Sequence, residues 1–358
     1  MAEPDAPAPE PAPVWGALVI ASGEEGISAD ARRAWEQLSV WSKQAIHAYA
    51  ATTIAAWRSD WRGFVAFCRE TERVAFPASP ETIAAYIATR AGLQRAASAI
   101  QRAVSTLAVV HRAAALPNPC QTETVRLALK AMRRQRPART WQARGLTWSD
   151  IARGLAAAPR QRQRAPTRTR YSLRELRDRA LVGVAYDTLA RSAEVVALQV
   201  TDFHLESPDG SGTVLIVRAK NDPEGEGREA VLSPDTVARL RDWVNAAQIR
   251  QGPMFVRVVG SDRLAGPLRP RALTDVWRRV ARAAGLPIEL QRRTSSHSTR
   301  IGAAQDLADA NTEMPGIMLA GGWKDSRQVI RYIERQDARR GAMAHLARLQ
   351  GRWKSGAR

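Results

Sequence analysis

The sequence predicts a mainly α-helical protein of two domains that carries one small β-hairpin. Apolar residues recur at three- and four-residue spacing through most of the chain, which is the period of an α-helix packed on one face. Strand-like segments are confined to TVLIVRA and EAVLS, which lie close together between residues 213 and 233. A length of 358 residues is enough for two domains that each bury a core of their own.

The amino-terminal part divides into a tail, a helical domain and a linker. Residues 1–27 are rich in proline and alanine and locally acidic, so we expect a disordered tail. Residues 28–136 show helical spacing with breaks at FPASP and LPNP, which predicts a domain of four or five helices. The basic stretch at 137–146, which contains proline and glycine, predicts the linker.

The second domain is expected over residues 147–358. Its first helix can be capped by Thr147 or Ser149, and a longer buried helix follows in SLRELRDRALVGVAYDTLA. The two predicted strands come next, joined by the polar turn KNDPEGEG. Helices are expected from Pro234 to the end, and the last of them is expected over 342–351.

The charge of the chain indicates a polyanionic partner. Lys and Arg number 54 against 35 Asp and Glu, which gives a net charge of +19 and an isoelectric point near 11.2. Double-stranded DNA is the simplest such partner, with binding that weakens strongly in salt. The alternative is that an arginine- and alanine-rich chain is basic without binding nucleic acid.

Cysteine content and hydropathy indicate the compartment. The two cysteines, Cys68 and Cys120, fit neither a disulfide framework nor a zinc site, so we expect the reducing cytoplasm. No signal-peptide pattern is visible, and apolar runs such as LVGVAY are too short to cross a bilayer. We therefore expect no membrane partner.

A set of six residues has the donors and the nucleophile that phosphodiester cleavage needs. They are Arg191, Lys220, His297, Arg300, Trp323 and Tyr332. An arginine offers a planar fork of donors that matches phosphate geometry, and a tryptophan indole donates a hydrogen bond without titrating. The sequence HSTR places its histidine and arginine on one face of a helical turn. A tyrosine in an electropositive pocket can then act as the nucleophile.

Each of these residues has a plainer interpretation when it is taken alone. Arg191 could form an ordinary ion pair with Glu194. Lys220 could be one of the basic residues that are common near turns, since Arg218 lies on the same strand. Trp323 could serve core packing, and Tyr332 lies on the apolar side of QVIRYIE, as a core tyrosine would.

In combination, these segments resemble the tyrosine recombinase (phage integrase) family. LVGVAYDTLARSAEVVALQVTDF resembles the box that holds the first arginine of the family, and HSTRIGAAQDLADANTEMPGIMLAGGW resembles the second box. FPASPETIAAYIATR and the helix ending in VVHRAAALP resemble the amino-terminal DNA-binding half. The likeness covers roughly residues 30 to 350 and extends to the RGAMAHL stretch after the tyrosine.

The resemblance implies a fold and a mechanism. The fold is a two-domain clamp, with a helical core-binding domain and a mostly helical catalytic domain. Tyr332 would attack the scissile phosphate while Arg191, Arg300 and Trp323 hold its oxygens, with Glu194 as support. His297 would accept the proton of the tyrosine or orient the phosphate, and Lys220 would protonate the leaving oxygen. Neither a metal nor a cofactor is needed, because the arginines supply the charge.

The resemblance also implies DNA contacts and an assembly. The residues expected to face DNA are Ser59, Arg62, Ser98, Gln101, Arg102, Ser105 and Arg271. Arg271 matches a position at which a member of the family reads guanine with an arginine. The implied partner is a duplex with inverted repeats, and the implied assembly is a homotetramer on two such sites. Closure of the tetramer would come from docking of the 342–351 helix into a neighbouring subunit, and the alternative is that this helix folds back on its own domain.

Two other functions stay open at this point. One is a relaxing topoisomerase of the related type, which would act as a monomer. The other is a DNA-binding regulator that has lost cleavage. A bacterial, phage or plasmid origin fits this reading, with the protein at the nucleoid, whereas plasmid resolution, prophage integration and transposition cannot be told apart from these residues.

Overall fold

The structure is a computed structural model that describes residues 29–135, 143–157, 171–217, 227–260, 262–334 and 342–352. Contacts divide the chain into two compact units, Met1–Thr140 and Trp141–Arg358. The prediction of a mainly helical fold with small antiparallel sheets is confirmed. The predicted tail, most of the predicted linker and Lys220 lie outside the described residues.

The first unit contains five α-helices in its described part, as the spacing predicted. They are α1 (Ala29–Ala48), α2 (Ala51–Glu70), α3 (Pro80–Gly92), α4 (Ala97–Ala113) and α5 (Glu123–Arg134). A short 3-10 helix, Pro119–Gln121, precedes α5. Helix α3 begins where it does because the hydroxyl of Ser79 accepts the N–H of Thr82 and Pro80 occupies the first turn.

An aromatic and aliphatic core joins these helices. Phe64 of α2 and Tyr86 of α3 meet edge to face with ring centroids 5.2 Å apart. At the edge of this core His111 of α4 is almost fully buried and donates through Nδ1 to the carbonyl of Leu107 at 2.8 Å. Its Nε2 accepts the N–H of Ala78 at 3.0 Å, so the neutral ring fits the site and burial lowers its pKa.

The second unit is also mostly helical. Its helices are α6 (Trp148–Ala157), α7 (Leu173–Asp187), α8 (Ser192–Ala197), α9 (Pro234–Ala247), α10 (Ala272–Ala283), α11 (Ile288–Arg292), α12 (Ser298–Asp309), α13 (Met314–Gly321), α14 (Ser326–Ile333) and α15 (Ala342–Leu349). A capping box between Ser172 and Glu175 begins α7. Among the described residues no helix is both long and apolar enough to cross a membrane.

Two small antiparallel sheets accompany the helices of this unit. The first contains β1 (Phe203–His204), β2 (Gly212–Ile216) and β3 (Arg228–Leu232) in that order, and β2 and β3 are the two strands that the sequence predicted. The second pairs β4 (Val256–Val259) with β5 (Arg263–Pro267). The expectation of uninterrupted helices after Pro234 is therefore wrong. Strand β5, with the sequence RLAGP, contains glycine and proline, which are depleted in strands, and its side chains are mostly exposed, so neither its composition nor an apolar alternation indicates a strand.

Close backbone approaches fix the helices that carry the site. Gly183 of α7 lies against Thr236 of α9, where an added Cβ would come within 2.6 Å of the threonine hydroxyl. Gly302 of α12 lies against the carbonyl of Leu146, and the N–H of Leu146 donates to the carbonyl of Ser298 at 2.8 Å. The segment before α6 therefore crosses α12 in direct contact with its backbone, one turn from Arg300.

Candidate active site

Arg191 and Glu194 form the first part of the site, at the start of α8. The backbone N–H of Arg191 donates to Glu194 Oε2 at 2.8 Å, and its Nη1 donates to Oε1 at 2.7 Å. The Glu194 side chain is only 4% exposed, whereas that of Arg191 is 19% exposed. The carboxylate thus holds the arginine by both backbone and side chain, as expected of a supporting residue, and leaves part of the guanidinium accessible.

Arg300 is the most deeply buried charge of the site. It lies on the first turn of α12, is 2% exposed, and donates through Nη2 to the carbonyl of Gly321 at 2.8 Å and through Nη1 to the carbonyl of Leu189. Burial, and after it the positive charge of Arg191, lower its pKa to about 10. The guanidinium is still protonated at neutral pH, so the pocket holds a cation that has few water molecules around it.

Trp323 covers one face of that guanidinium. The Cζ of Arg300 lies 4.0 Å from the centroid of the indole, a cation–π geometry. The ring can lie this close to the chain because Gly321 has no side chain to oppose it. The indole Nε1 is buried and has no hydrogen-bond partner among the described residues. A buried N–H of this kind is uncommon in proteins and is free to donate to a ligand oxygen.

His297 stands at the amino end of α12, one turn before Arg300. Loss of hydration lowers its pKa, and the positive charges of Arg300 and Arg191 lower it further, while Glu194 opposes them. The loop before it is fixed because the hydroxyl of Ser192 donates to the carbonyl of Ser296 at 2.7 Å. The imidazole is therefore neutral at pH 7 and able to accept a proton.

Tyr332 lies on α14, next to Trp323. The two rings meet edge to face with centroids 6.0 Å apart, and the phenol is near enough to Arg300 for its ionised form to raise the pKa of that arginine. Gln305 of α12 donates to the backbone carbonyl of Tyr332 at 3.0 Å and so ties α14 to the helix of Arg300. The phenol therefore lies close to the buried guanidinium, where a tyrosine can act as a nucleophile on a bound phosphate.

Five of the seven predicted site residues therefore fall in one interlinked cluster with Arg300 at its centre, and Glu194 joins it through Arg191. Lys220 lies outside the described residues.

Sequence reasoning missed Arg228, Ser192 and Gln305, which hold the segments around the cluster. No motif pointed to them, because each acts through a backbone carbonyl of a distant residue.

The predicted DNA-facing residues of the first unit lie on two helices. Ser59 and Arg62 are exposed on α2, and on α4 Ser98, Arg102 and Ser105 are exposed and Gln101 is half-buried. Arg102 donates to both carboxylate oxygens of the buried Asp60, at 2.9 and 2.8 Å, which fixes its guanidinium at the surface. Nη1 of that arginine takes no part in either bond.

Arg271 is exposed at the amino end of α10 in the second unit. One helical turn further, Thr274 and Arg278 line a cavity of about 320 Å³ together with Arg292, Arg293 and neighbouring residues. The loop that forms its far wall runs on to His297. A basic cavity at this place suits a phosphate group, and the sequence did not single out these arginines.

Two solved structures are similar to this chain in fold. The XerH site-specific recombinase bound to its palindromic difH substrate aligns with a TM-score of 0.58 at 14% identity, over 89% of this chain and 84% of that one. The Tn1549 transposon integrase in complex with transposon right-end DNA aligns with a TM-score of 0.58 at 12% identity, over 88% and 99%. At these identities the likeness concerns the fold alone.

Similarity in amino-acid sequence gives more specific information than the likeness of fold. Recombinase cre of Escherichia phage P1 is 29% identical over 299 residues, covering 80% of this chain and 84% of the relative. An integrase/recombinase xerD homolog of Selenomonas ruminantium is 27% identical over 321 residues, covering 84% and 86%. The profile of the phage integrase family matches residues 159–339, half of the chain, including every residue of the clustered site. The chain belongs to the phage integrase family of tyrosine recombinases.

Proposed function

We propose that this tyrosine recombinase cleaves and rejoins DNA at specific sites through a 3′-phosphotyrosyl intermediate. The observation that carries the proposal is the convergence of Arg191, Arg300 and Trp323 on one buried pocket beside Tyr332. Besides burial, the charge of Arg191 lowers the pKa of both Arg300 and Arg228, and the charge of Arg228 also lowers that of Arg300. The carboxylate of Glu194 acts in the opposite direction on both arginines. Such an excess of buried positive charge is stable with an anion, and a phosphodiester in a pentavalent transition state is a strongly anionic group.

The chemistry follows from the positions of the groups. The phenol oxygen of Tyr332 attacks the phosphorus, its proton passes to the neutral His297, and the bond from phosphorus to the 5′-oxygen breaks. Arg191, Arg300 and the Trp323 N–H hold the non-bridging oxygens as charge builds on them. Attack by a 5′-hydroxyl on the phosphotyrosine reverses these steps, so the energy of the original bond is kept and no nucleotide is consumed.

Lys220 is proposed as the acid that protonates the departing 5′-oxygen. An alkoxide is a poor leaving group, and the other donors of the site, Arg191, Arg300 and the Trp323 indole, hold the non-bridging oxygens instead. The lysine belongs to the segment between β2 and β3, two strands that end beside the arginine cluster through Arg228. Its place in the sequence between these two strands supports the role.

The substrate that we propose is a duplex with inverted repeats. The domain at 28–136 would present α2 and α4 to a major groove, the domain at 147–358 would add Arg271, and the linker at 137–146 would join them. Exposed polar residues on α2 and α4 support this, since their apolar residues face the core of the unit. A DNA substrate of this kind places the reaction at the nucleoid, in the cytoplasm of a bacterium.

The proposed assembly is a homotetramer on two such sites. Helix α15 has three large apolar side chains that remain exposed, with Met343 at 69%, Leu346 at 39% and Leu349 at 72%. An apolar stripe left in water on the helix's own subunit supports docking into a neighbour. Passed from subunit to subunit, this heterologous contact closes a ring.

The test of the proposal is covalent trapping on a denaturing gel. Tyr332→Phe removes only the attacking oxygen, so it should bind a target site as the wild type does and give no protein–DNA adduct. The matched control is Tyr171→Phe, a half-buried tyrosine of the same unit that stacks on Arg179, and this variant should form the adduct normally. An adduct from Tyr332→Phe would exclude this nucleophile.

Adduct formation and plasmid relaxation distinguish a recombinase from the two other functions. A relaxing topoisomerase would relax supercoiled plasmids that carry no inverted repeat, and as a monomer. A regulator without cleavage would give no adduct from the wild type on any DNA. A recombinase forms adducts at defined sites and exchanges strands between two of them.

A further inference from the structure

Arg228 is an arginine near the site to which the proposed mechanism assigns no step. It is the first residue of β3, and its half-buried side chain reaches away from the sheet toward the ends of α7 and α13. Nη2 donates to the carbonyl of Thr188 at 2.5 Å, and Nη1 donates to the carbonyl of Ala320 at 3.0 Å. The fork of the guanidinium thus bridges two chain segments that are more than a hundred residues apart in sequence.

Arg300 makes the corresponding pair of bonds one residue further along each segment. Its donors reach the carbonyls of Leu189 and Gly321. The two arginines therefore form parallel cross-links between residues 188–189 and 320–321. The first segment leads within two residues to Arg191 and the second leads within two residues to Trp323. The distance between these two phosphate-binding groups is consequently set by the two forks.

The backbone around Arg228 is shaped to admit its side chain. Gly322 adopts a left-handed conformation with φ of +62°, and an added Cβ would lie 3.2 Å from both Cδ and Nε of Arg228. Only arginine has a rigid fork of donors that can reach two carbonyls at once, since a lysine offers one nitrogen. Burial lowers the pKa of Arg228, as does the charge of Arg191, while Glu194 opposes them. The group nevertheless stays charged, because an arginine in a protein does not lose its proton.

Arg300 and Arg228 differ in whether they are proposed to bind the phosphate of the DNA. Arg300 uses two of its five N–H donors on the carbonyls and keeps the others for the scissile phosphate, so it serves the cross-link and the substrate together. Arg228 has no proposed bond to phosphate, and its two cross-links can persist while Arg300 is engaged.

We propose that Arg228 is a positioning residue for strand cleavage, whose fork keeps the segments of Arg191 and Trp323 in alignment while Arg300 holds the phosphate. The inference rests on the proposed function and adds to it a residue that acts through backbone carbonyls and not on the DNA. Loss of the fork should then affect the rate of cleavage and leave binding of DNA unchanged.

The first measurement is the rate of adduct formation at saturating half-site DNA, together with Kd from gel shift. Arg228→Gln and Arg228→Lys should each lower that rate at least about tenfold with Kd within about twofold of the wild type, since neither side chain has a fork. Arg241→Gln is the matched control, because Arg241 of α9 also donates to a carbonyl, that of Leu205 at 2.6 Å, but at a distance from the cluster. This control should cleave at the wild-type rate. A wild-type rate in Arg228→Lys would show that charge alone suffices and would overturn the inference.

The second measurement is amide hydrogen exchange and does not depend on activity. In Arg228→Lys, exchange should increase at residues 188–191 and at 320–323 together, both without DNA and with half-site DNA bound. Unchanged exchange in either segment would overturn the proposal, and so would global unfolding of Arg228→Lys, which would make Arg228 a general stabiliser of the fold. Failure of the wild type to form any adduct would instead contradict the proposed function and leave the exchange result to decide on Arg228.

Discussion

Replacement of Trp323 by phenylalanine should separate catalysis from stability. The indole is 5% exposed, and its Nε1 has no partner among the described residues. Phenylalanine keeps an aromatic face toward Arg300 and an edge toward Tyr332. It lacks the N–H of the indole and part of the ring. We therefore expect the pocket to keep its shape and to lose one donor to the phosphate.

The two effects of this substitution have different magnitudes. A hydrogen bond to a charged group contributes about 1.5–3 kcal/mol, so cleavage should slow by about 10- to 150-fold if the bond forms in the transition state. The smaller ring leaves a cavity that costs on the order of 1–2 kcal/mol, while removal of an unpaired buried N–H returns about 1–3 kcal/mol. The free energy of unfolding should therefore lie between about 1 kcal/mol below and about 2 kcal/mol above that of the wild type.

The assay is single-turnover adduct formation at saturating half-site DNA, accompanied by urea unfolding. Trp277→Phe is the matched control, because Trp277 of α10 is fully buried and its Nε1 likewise has no partner among the residues that the structure describes. The control should show the same small change in stability and an unchanged rate. If Trp323→Phe cleaves at the wild-type rate, the indole is not a phosphate donor, and if both variants slow equally, packing and not hydrogen bonding is responsible.

Three further predictions concern the proton donor, the assembly and the pH dependence of stability. Lys220→Ala should be severely slowed on ordinary DNA and largely rescued when the 5′-bridging oxygen is sulfur, because a thiolate leaves without an acid; equal defects on both substrates would assign the lysine another role. Deletion of residues 342–358 should leave binding of a single half-site intact and abolish cooperative filling of the second, as measured by gel shift; normal cooperativity would place α15 on its own subunit. His111 has a lowered pKa in the folded state, so the unfolded chain takes up the proton first as pH falls below about 6.5, and stability is complete above that pH and is lost below it. The free energy of unfolding, measured by urea titration between pH 8 and 5, should fall by up to about 1.4 kcal/mol per pH unit for this proton, and His111→Gln should make that fall shallower by one proton's share, which an unchanged slope would contradict.

Much of the fold was predictable because its helices are long and amphipathic. The apolar spacing predicted four or five helices in the first unit, where the described residues form five, and the strands β2 and β3 were predicted from their β-rich sequences. The pair β4 and β5 was missed, since β5 contains glycine and proline and has mostly exposed side chains, so that no strand pattern marks it. The pairing of β4 with β5 depends on the surrounding tertiary structure and not on a local sequence pattern.

The sequence by itself determined which residue types form the candidate site, because phosphate chemistry restricts the choice to a few side chains and these stand in recognisable segments. It did not determine how those segments are held. Arg228 and Gln305 act on the carbonyls of Thr188, Ala320 and Tyr332, and such bonds depend on where the backbone passes and not on the side chain found there. A carbonyl is present at every residue, so it leaves no trace in the sequence. Only the tertiary structure brings each side chain to the carbonyl that it binds.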